Sequence, residues 1–404
     1  MGIKGSTELK NSFPETIKGW KIYAIELRDP KNKWKKEYRS PIHDKKIRKW
    51  LRKSSKEAEK ICKEIINEVD FAIDVDEGKR LSREAQIERY YQLFTPRQLA
   101  SFYLFSLGSR KLARTRREKL FLAIALSEST KASSLVAKWH PPIGEPVPAG
   151  AMKTYWVPKH TVESNPLAHI PGTLRPLGRN TIASAIRMQL RADTFIKEKG
   201  GPSNSKIKIV TGDAERIKIP RLIDLVVVDP PYMDAVKSYA SLSLIHYVSI
   251  KLFDSVNRSR FVSSTNLKKV EDIEIPRERK EYEEKLYRIF TRLTERLHTK
   301  SRVILMYNRL TTHDWLPPLR AAKHAGLYPT SIYWVPGESP GGLARSKLRG
   351  IYLIVLRKGE KINKIPILFE EIIEELDESY SVDIEVERKS YKALNEALKI
   401  FDPR

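Results

Sequence analysis

The sequence predicts an α/β protein whose main sheet is parallel and ends in a hairpin, preceded by a charged N-terminal α+β region. Three observations predict it. The run Leu222-Ile223-Asp224-Leu225-Val226-Val227-Val228 is aliphatic on both faces and stops at Asp229-Pro230-Pro231. Such a run reads as a strand covered on both sides, cut off where proline removes the ladder donor and fixes φ. From residue 181 to 357, strand-like runs alternate with segments of helical period. The last two strand-like runs, 328–335 and 350–357, flank the loop Pro336-Gly337-Glu338-Ser339-Pro340-Gly341-Gly342, as a hairpin would.

Residues 1–85 form the charged N-terminal region. It has a strand in Trp20-Lys21-Ile22-Tyr23-Ala24-Ile25-Glu26-Leu27 and a charged helix over 44–69. Lys31, Lys33, Lys35, Lys36, Lys45, Lys46, Arg48, Lys49, Arg52 and Lys53 interleave with Trp34, Tyr38 and Trp50. This is either a surface that tracks a phosphate backbone with aromatic stacking or a solvated helix face.

Residues 86–360 form the second region. Thr95 followed by Pro96 marks a helix start, with Thr at the N-cap and Pro in the first turn, and Leu99, Tyr103, Phe105 and Leu107 on its buried side. Its unpaired N–H groups, with Arg97 beside them, suit a carboxylate or phosphate, although an ordinary capped helix has the same pattern. Arg110, Lys111, Arg114, Arg116, Arg117 and Lys119 then crowd into ten residues, a patch suited to nucleic acid. The apolar stretch 120–126 predicts a buried helix, and 139–181 reads as long loops.

A helix over 181–197 leads to a strand, Lys206-Ile207-Lys208-Ile209-Val210, that runs into Thr211-Gly212-Asp213. After the aliphatic strand, 239–253 is apolar almost all round and predicts one buried helix. A polar insertion covers 257–279. Tyr282, Leu286, Ile289, Phe290, Leu293 and Leu297 then recur at helical spacing before a strand at 302–307. A helix opened by Pro317 and Pro318 and closed by Gly326 leads into the hairpin. The tail, 361–404, holds seven Lys/Arg against eleven Asp/Glu, a net of −4.

A formal charge of +25 at 404 residues favours a polyanionic partner, because Lys/Glu enrichment of a heat-stable surface should nearly balance in sign. Cys62 stands alone, which excludes a disulfide framework and a thiolate zinc site and favours the cytoplasm. No apolar run approaches the roughly 20 residues that span a bilayer, so no membrane partner is expected. His246, His298, His313 and His324 show no metal-ligand spacing and read as packing or surface residues, so no metal is expected.

The end of the aliphatic strand carries the chemistry. An exocyclic amino group on a nucleobase is a poor nucleophile because its lone pair is delocalised into the ring. Methylating it takes acceptors that orient the N–H bonds and stabilise positive charge developing on nitrogen. Asp229 and the carbonyl of Pro230 supply acceptors, Pro231 stiffens the turn, and Tyr232 offers a ring for a base taken out of its stack. Asp229-Pro230-Pro231-Tyr232 after such a strand resembles the motif of S-adenosylmethionine-dependent amino-methyltransferases. Together with Met233-Asp234-Ala235-Val236, Tyr239, Leu242, Ser243, the run Leu93-Phe94-Thr95-Pro96-Arg97-Gln98-Leu99 and the hairpin with Glu338 and Arg357, it resembles the adenine-specific DNA methylases of the zinc-ribbon-containing type.

The resemblance covers roughly residues 20–360 and implies a Rossmann-like class I methyltransferase sheet, with 86–360 as its catalytic region. It also implies S-adenosylmethionine as donor and DNA as substrate, adenine N6 ahead of cytosine N4. By position, Asp229, Pro230, Pro231 and Tyr232 become the catalytic motif and Asp213 a contact to the donor's adenine. Thr95, Pro96 and Arg97 become a cap near the donor's methionine end, and Arg110, Lys111, Arg114, Arg116 and Arg117 contacts to nucleic acid.

Two departures stand out. The zinc-ribbon cysteines are absent, and so is the Gly-rich turn Asp/Asn-x-Phe-x-Gly-x-Gly, whose backbone must approach the donor. The sheet is then incomplete, and a second polypeptide supplies the donor-binding half, a diverged segment within 1–140 does so, or activity is lost. A nucleic-acid-binding or specificity subunit without turnover and an RNA methyltransferase are the other readings.

Overall fold

The computed structural model describes residues 25–28, 36–140, 145–148, 163–169, 173–176, 180–199, 208–210, 212–219, 222–233, 238–262, 266–274, 276, 278–337, 348, 350–359 and 384–402. The chain begins with β1 (Ile25–Arg28), β2 (Lys36–Arg39), α1 (Lys45–Val69), α2 (Asp76–Ala85), α3 (Pro96–Leu112), α4 (Arg116–Ser129), β3 (Ala137–His140), β4 (Glu145–Pro148) and α5 (Ile182–Glu198). It continues with β5 (Ile223–Val228), α6 (Tyr239–Leu242), α7 (Leu244–Asn257), α8 (Leu267–Asp272), α9 (Arg279–Thr294), β6 (Leu297–Tyr307), α10 (Thr312–His324), β7 (Leu327–Pro336), β8 (Gly350–Lys358) and α11 (Ile384–Leu398). These elements divide into two compact units, Met1–Lys206 with Ser238–Asp272, and Ile207–Lys237 with Ile273–Arg404. Among the described residues no helix is long and apolar enough to cross a membrane.

The first unit is mainly helical. Side-chain caps set its helix starts: Asp44 accepts the N–H groups of Lys46 and Ile47, Thr95 that of Gln98, and Thr181 that of Ser184. The single buried helix expected over 239–253 is broken at Ser243 into α6 and α7. Nearly every side chain of α7 is buried, and Leu244, Val248, Leu252 and Phe253 pack in one cluster with Leu99, Phe102 and Leu126. On α3 the most deeply buried hydrophobic side chain is Phe102, while the expected Tyr103, Phe105 and Leu107 are half-buried. On α4 the expected burial holds for Ala123, Ala125 and Leu126, whereas Leu120 and Ile124 face solvent.

The second unit is built on a mixed four-stranded sheet in the order β5-β6-β8-β7. β5 runs parallel to β6, pairing Val226 with Val303, Val227 with Ile304 and Val228 with Leu305. β8 is antiparallel to both β6 and β7, so the expected hairpin is present and the sheet is mixed rather than parallel. Alternation along the strands puts Val226, Val228, Val303, Leu305, Tyr307, Ile332, Trp334, Tyr352, Ile354 and Leu356 on one face. That face packs against Tyr282, Leu286 and Phe290 of α9, Trp315 and Leu319 of α10 and Leu394 of α11. Fully burying a side chain such as Phe290 or Leu305 contributes about 1.5–3 kcal/mol. Gly350 is obligatory here, because an added Cβ would lie 1.9 Å from the Trp334 ring.

Three expectations change in this unit. Of the strand expected over 206–210, the described residues 208–210 belong to no strand, and Ile209 is 89% exposed. The strand expected to be covered on both faces, β5, is an edge strand among the described residues, with Leu225 and Val227 both more than half exposed.

Pro317 and Pro318 do not open their helix. α10 starts five residues earlier, capped by Thr311, and carries both prolines inside. The two missing N–H groups leave the carbonyls of His313 and Asp314 without their helical donors. Arg279 donates to the first of these and Tyr307 to the second, at 3.3 Å, which is why the helix tolerates both prolines.

Candidate functional site

β5 ends at Val228, which leaves Asp229-Pro230-Pro231-Tyr232 at the carboxyl end of a strand in a parallel pair, where open α/β sheets place ligands. Asp229 is exposed, and among the described residues nothing hydrogen-bonds or ion-pairs with its carboxylate. Partial burial pushes its carboxyl above the usual aspartate range.

Pro230 is buried, and the Pro231 carbonyl accepts a 2.8 Å hydrogen bond from the hydroxyl of Tyr282. Tyr282 is fully buried in the first turn of α9, so this bond fixes the turn to the core. Burial pushes the Tyr307 hydroxyl, which bonds the Asp314 carbonyl, above the usual range.

Tyr232 is braced by aromatic edges. Its ring meets Tyr307 at 4.9 Å and 87°, Tyr307 meets Trp315 at 5.3 Å, and Trp315 meets Tyr352 at 5.7 Å. Pairs of this geometry add about 0.5–1.5 kcal/mol each beyond their burial. The Arg309 guanidinium lies 5.8 Å from the Tyr232 ring centre. Arg309 lies two residues beyond the end of β6, and its carbonyl accepts from Trp315 Nε1 at 2.9 Å and Ser390 Oγ at 2.6 Å. The ring is therefore flanked by Tyr307 of β6 and by Arg309, which α10 and α11 fix in turn through Trp315 and Ser390.

Asp213 belongs to the same unit, and its carboxylate is engaged. Lys285 Nζ lies 3.5 Å from it in a pair almost closed to solvent, and the Glu215 N–H donates to it at 3.1 Å. Lys285 also donates to the Ile273 carbonyl at 2.7 Å. Asp213 thus pins the 213–219 connection to α9.

Thr95, Pro96 and Arg97 belong to the first unit. The expected anion seat at the start of α3 is filled from within the chain. The Glu163 carboxylate accepts from Thr95 Oγ1 at 2.9 Å, from Arg97 Nε at 2.8 Å and from a second Arg97 nitrogen. Arg97 also donates to Ser55 at 2.6 Å. Beneath it, Cys62 donates to the Pro96 carbonyl at 3.4 Å, and burial pushes its thiol up to about 12.

Arg110 and Lys111 close α3, and Arg114, Arg116 and Arg117 follow across a short turn into α4. All five are exposed, and among the described residues none forms an ion pair. The turn is fixed by Glu118, whose carboxylate accepts the N–H groups of Arg114 at 2.6 Å and Thr115 at 3.0 Å and lies below the usual range because of those bonds. Lys119 is diverted to the Asn257 carbonyl at 3.0 Å. In the N-terminal region Lys36 and Tyr38 turn to Glu26, and Arg48 caps the carbonyls of Pro41 and Ile42. Lys31, Lys33, Trp34, Lys35 and Glu338 lie outside the described residues.

Two of the histidines are tied into the fold by hydrogen bonds. His246 is held by Ser127 and Thr130, with burial lowering its pKa, and His298 bonds Asp224 at 2.8 Å. Among the described residues no cluster of His, Cys, Asp and Glu could hold a metal ion.

Tyr282, Tyr307, Arg309 and Glu163 were not singled out from the sequence as site residues. Tyrosine rather than phenylalanine at a buried helix position is a signal that a hydroxyl needs a partner. A charged residue two positions beyond a strand parallel to β5 is another, since neighbouring parallel strands end side by side. Glu163, 66 residues from Arg97, gave no local signal. Comparison of the chain with protein-family models, with curated proteins and with solved structures returns no match.

Proposed function

We propose that this chain is the catalytic part of an S-adenosylmethionine-dependent methyltransferase acting on a base amino group in DNA, adenine N6 ahead of cytosine N4. The observation that carries the reading is the Asp229 carboxylate at the end of a parallel strand, without a partner among the described residues, next to a tyrosine ring that meets Tyr307 edge-on and the Arg309 guanidinium. A carboxylate without a partner is an acceptor in waiting. It can take one amino N–H of an extruded base, with the Pro230 carbonyl taking the other, while the base stacks on Tyr232 for about 1–3 kcal/mol. Ionised, Asp229 also stabilises the positive charge that develops on the amino nitrogen.

The donor would supply the methyl group, and the residues expected to bind it do not fit that task in this chain. Asp213 is committed to Lys285 and the Glu215 N–H, and the Thr95–Arg97 seat holds Glu163. The chain's own residues are therefore assigned to the acceptor base alone. The strand order, with one parallel pair at an open edge, fits part of a Rossmann-like methyltransferase sheet. The exposed basic turn at Arg110, Lys111, Arg114, Arg116 and Arg117 fits the phosphate backbone of a nucleic acid.

The experiment is methyl transfer from tritiated S-adenosylmethionine by the complex purified from its native cells, offered DNA and RNA separately. Label in DNA supports the reading, label in RNA alone makes the enzyme an RNA methyltransferase, and label in neither overturns it. The misfit of the donor residues favours a second reading, a nucleic-acid-binding subunit without turnover. Calorimetry separates the two: heat from S-adenosylmethionine added to the complex with DNA present is expected only for the enzyme.

A further inference from the structure

We propose that Arg309 and Arg279 form a phosphate subsite beside Tyr232, which takes a backbone phosphate of the nucleotide whose base is held at Asp229. The subsite rests on the base-holding reading of Asp229 and Tyr232, and it makes the ligand of that site a nucleotide rather than a nucleoside.

Hydrogen bonds and ring contacts bring the two arginines to one place. The Tyr307 hydroxyl donates to the Asp314 carbonyl at 3.3 Å, and Arg279 donates to the carbonyl of His313, the residue before. Tyr307 meets the Tyr232 ring edge-on at 4.9 Å, and the Arg309 guanidinium lies 5.8 Å from the centre of that ring. All of these residues belong to one compact unit. Charge reports the same neighbourhood. Burial raises the Tyr307 hydroxyl, and the Arg309 guanidinium opposes that rise. Burial, and after it the guanidinium of Arg320, push Arg279 below the usual arginine range.

The fold leaves this cluster short of acceptors. Arg309 Nε is shut off from solvent, and among the described residues it has no hydrogen-bond partner. Burying a donor without an acceptor is unfavourable, and such a group calls for one from outside the fold. Among the described residues neither Arg309 nor Arg279 forms an ion pair. Glu283 is drawn to Arg320 at 4.0 Å, and Asp314 to Thr311 and, at 3.8 Å, to His313. Asp229 is not the missing counter-ion, because burial raises its carboxyl, whereas a guanidinium alongside would lower it. A cation–π contact with Tyr232 uses the face of the Arg309 guanidinium and leaves its in-plane N–H groups unmatched.

Chemistry chooses the ligand. A base taken out of its stack stays bonded through its sugar to phosphate, so a phosphate must come to rest beside the ring that holds the base. A planar guanidinium matches phosphate with two parallel N–H groups, and a second arginine shares the charge. The backbone aims the first of them: the Arg309 carbonyl is held by Trp315 and Ser390, and Asn308 before it donates to the Gly350 carbonyl at 2.6 Å.

The test measures binding of deoxyadenosine, each of its monophosphates and inorganic phosphate to the full chain by ligand-observed NMR, in the parent, R309A and the better-filling R309M. The parent is expected to bind one of the monophosphates at least about tenfold more tightly than deoxyadenosine, as for a hydrogen bond to a charged group. R309A and R309M are expected to bring that ratio close to one, to keep the parent's affinity for deoxyadenosine, and to melt as the parent does, because the fold gives Arg309 Nε no described partner. Equal binding of nucleoside and monophosphates by the parent, no binding of any of them, or a ratio that survives in either variant overturns the inference. Inorganic phosphate bound as tightly as the monophosphate would make the subsite one for the free anion and overturns it too. Loss of nucleoside and nucleotide together in both variants would mark Arg309 as structural, with the same consequence.

An Arg309-dependent preference for the nucleotide in a complex that transfers no methyl leaves the subsite standing and removes the methyltransferase reading. Methyl transfer by the native complex that is equal in the parent and R309A keeps that reading and removes the subsite.

Discussion

Replacing Asp229 by asparagine keeps the shape of the side chain and removes its charge, and the expected consequences for stability and for turnover run in opposite directions. Nothing described in the fold holds the carboxylate, and burial alone raises its pKa above the ordinary 3.8. A carboxyl raised in the folded state supports the fold below the unfolded value near 3.8. It loses that support as pH rises through the folded value. At neutral pH the charge is therefore carried against desolvation, and D229N should leave stability unchanged or slightly improved, within about 0.5 kcal/mol for an exposed side chain. Any gain should vanish in melts at pH 3.5.

Methyl transfer should fall about 100- to 1000-fold, equivalent to about 2.7–4 kcal/mol for one lost charge-stabilising acceptor. In the parent, transfer should rise with pH as Asp229 ionises, at a pH above that of an ordinary aspartate. The assays are thermal melts at both pH values, methyl transfer by the native complex, and DNA binding by anisotropy. A loss of more than about 2 kcal/mol in stability would mark Asp229 as structural. Undiminished transfer would remove it from the site.

Tyr282→Phe leaves the Pro231 carbonyl without its donor, a loss of about 1–3 kcal/mol. In a unit of this size the melting temperature should drop about 2–4 °C per kcal/mol, with a fall in transfer that an equally destabilising change in α11 would not produce. Glu163→Gln removes the charge that holds Thr95 and Arg97, and urea denaturation should show the first unit weakened by about 1.5–3 kcal/mol. Arg114→Ala, Arg116→Ala and Arg117→Ala combined should reduce the slope of log K against log salt for duplex DNA by about 0.9 per lost phosphate contact. An unchanged slope would place the DNA elsewhere.

Local chemistry made much of this chain legible. Asp44, Thr95 and Thr181 announce their helices because a capping side chain acts within three residues, and Gly326, at φ +75°, ends α10 where a left-handed residue is needed. The aliphatic run and its Pro-Pro stop placed β5 and the end at which Asp229 stands. What stayed hidden depends on partners far along the chain. Pro317 and Pro318 look like a helix start until Arg279 and Tyr307 are seen to satisfy the carbonyls they orphan. A buried-strand pattern reports that both faces want cover and not what provides it, so β5 looked central and is an edge among the described residues. The Thr95–Arg97 turn was legible as an anion seat, while the anion it holds, Glu163, was not.

The proposed chemistry can be read from nucleoside mass spectrometry on DNA incubated with the native complex and S-adenosylmethionine bearing a heavy methyl group. Heavy methyl is expected on an exocyclic base nitrogen, N6-methyladenine ahead of N4-methylcytosine, and is expected to be lost when the complex carries D229N. Heavy methyl on a ring atom, on RNA alone or on no base, or an equal yield from D229N, would contradict it.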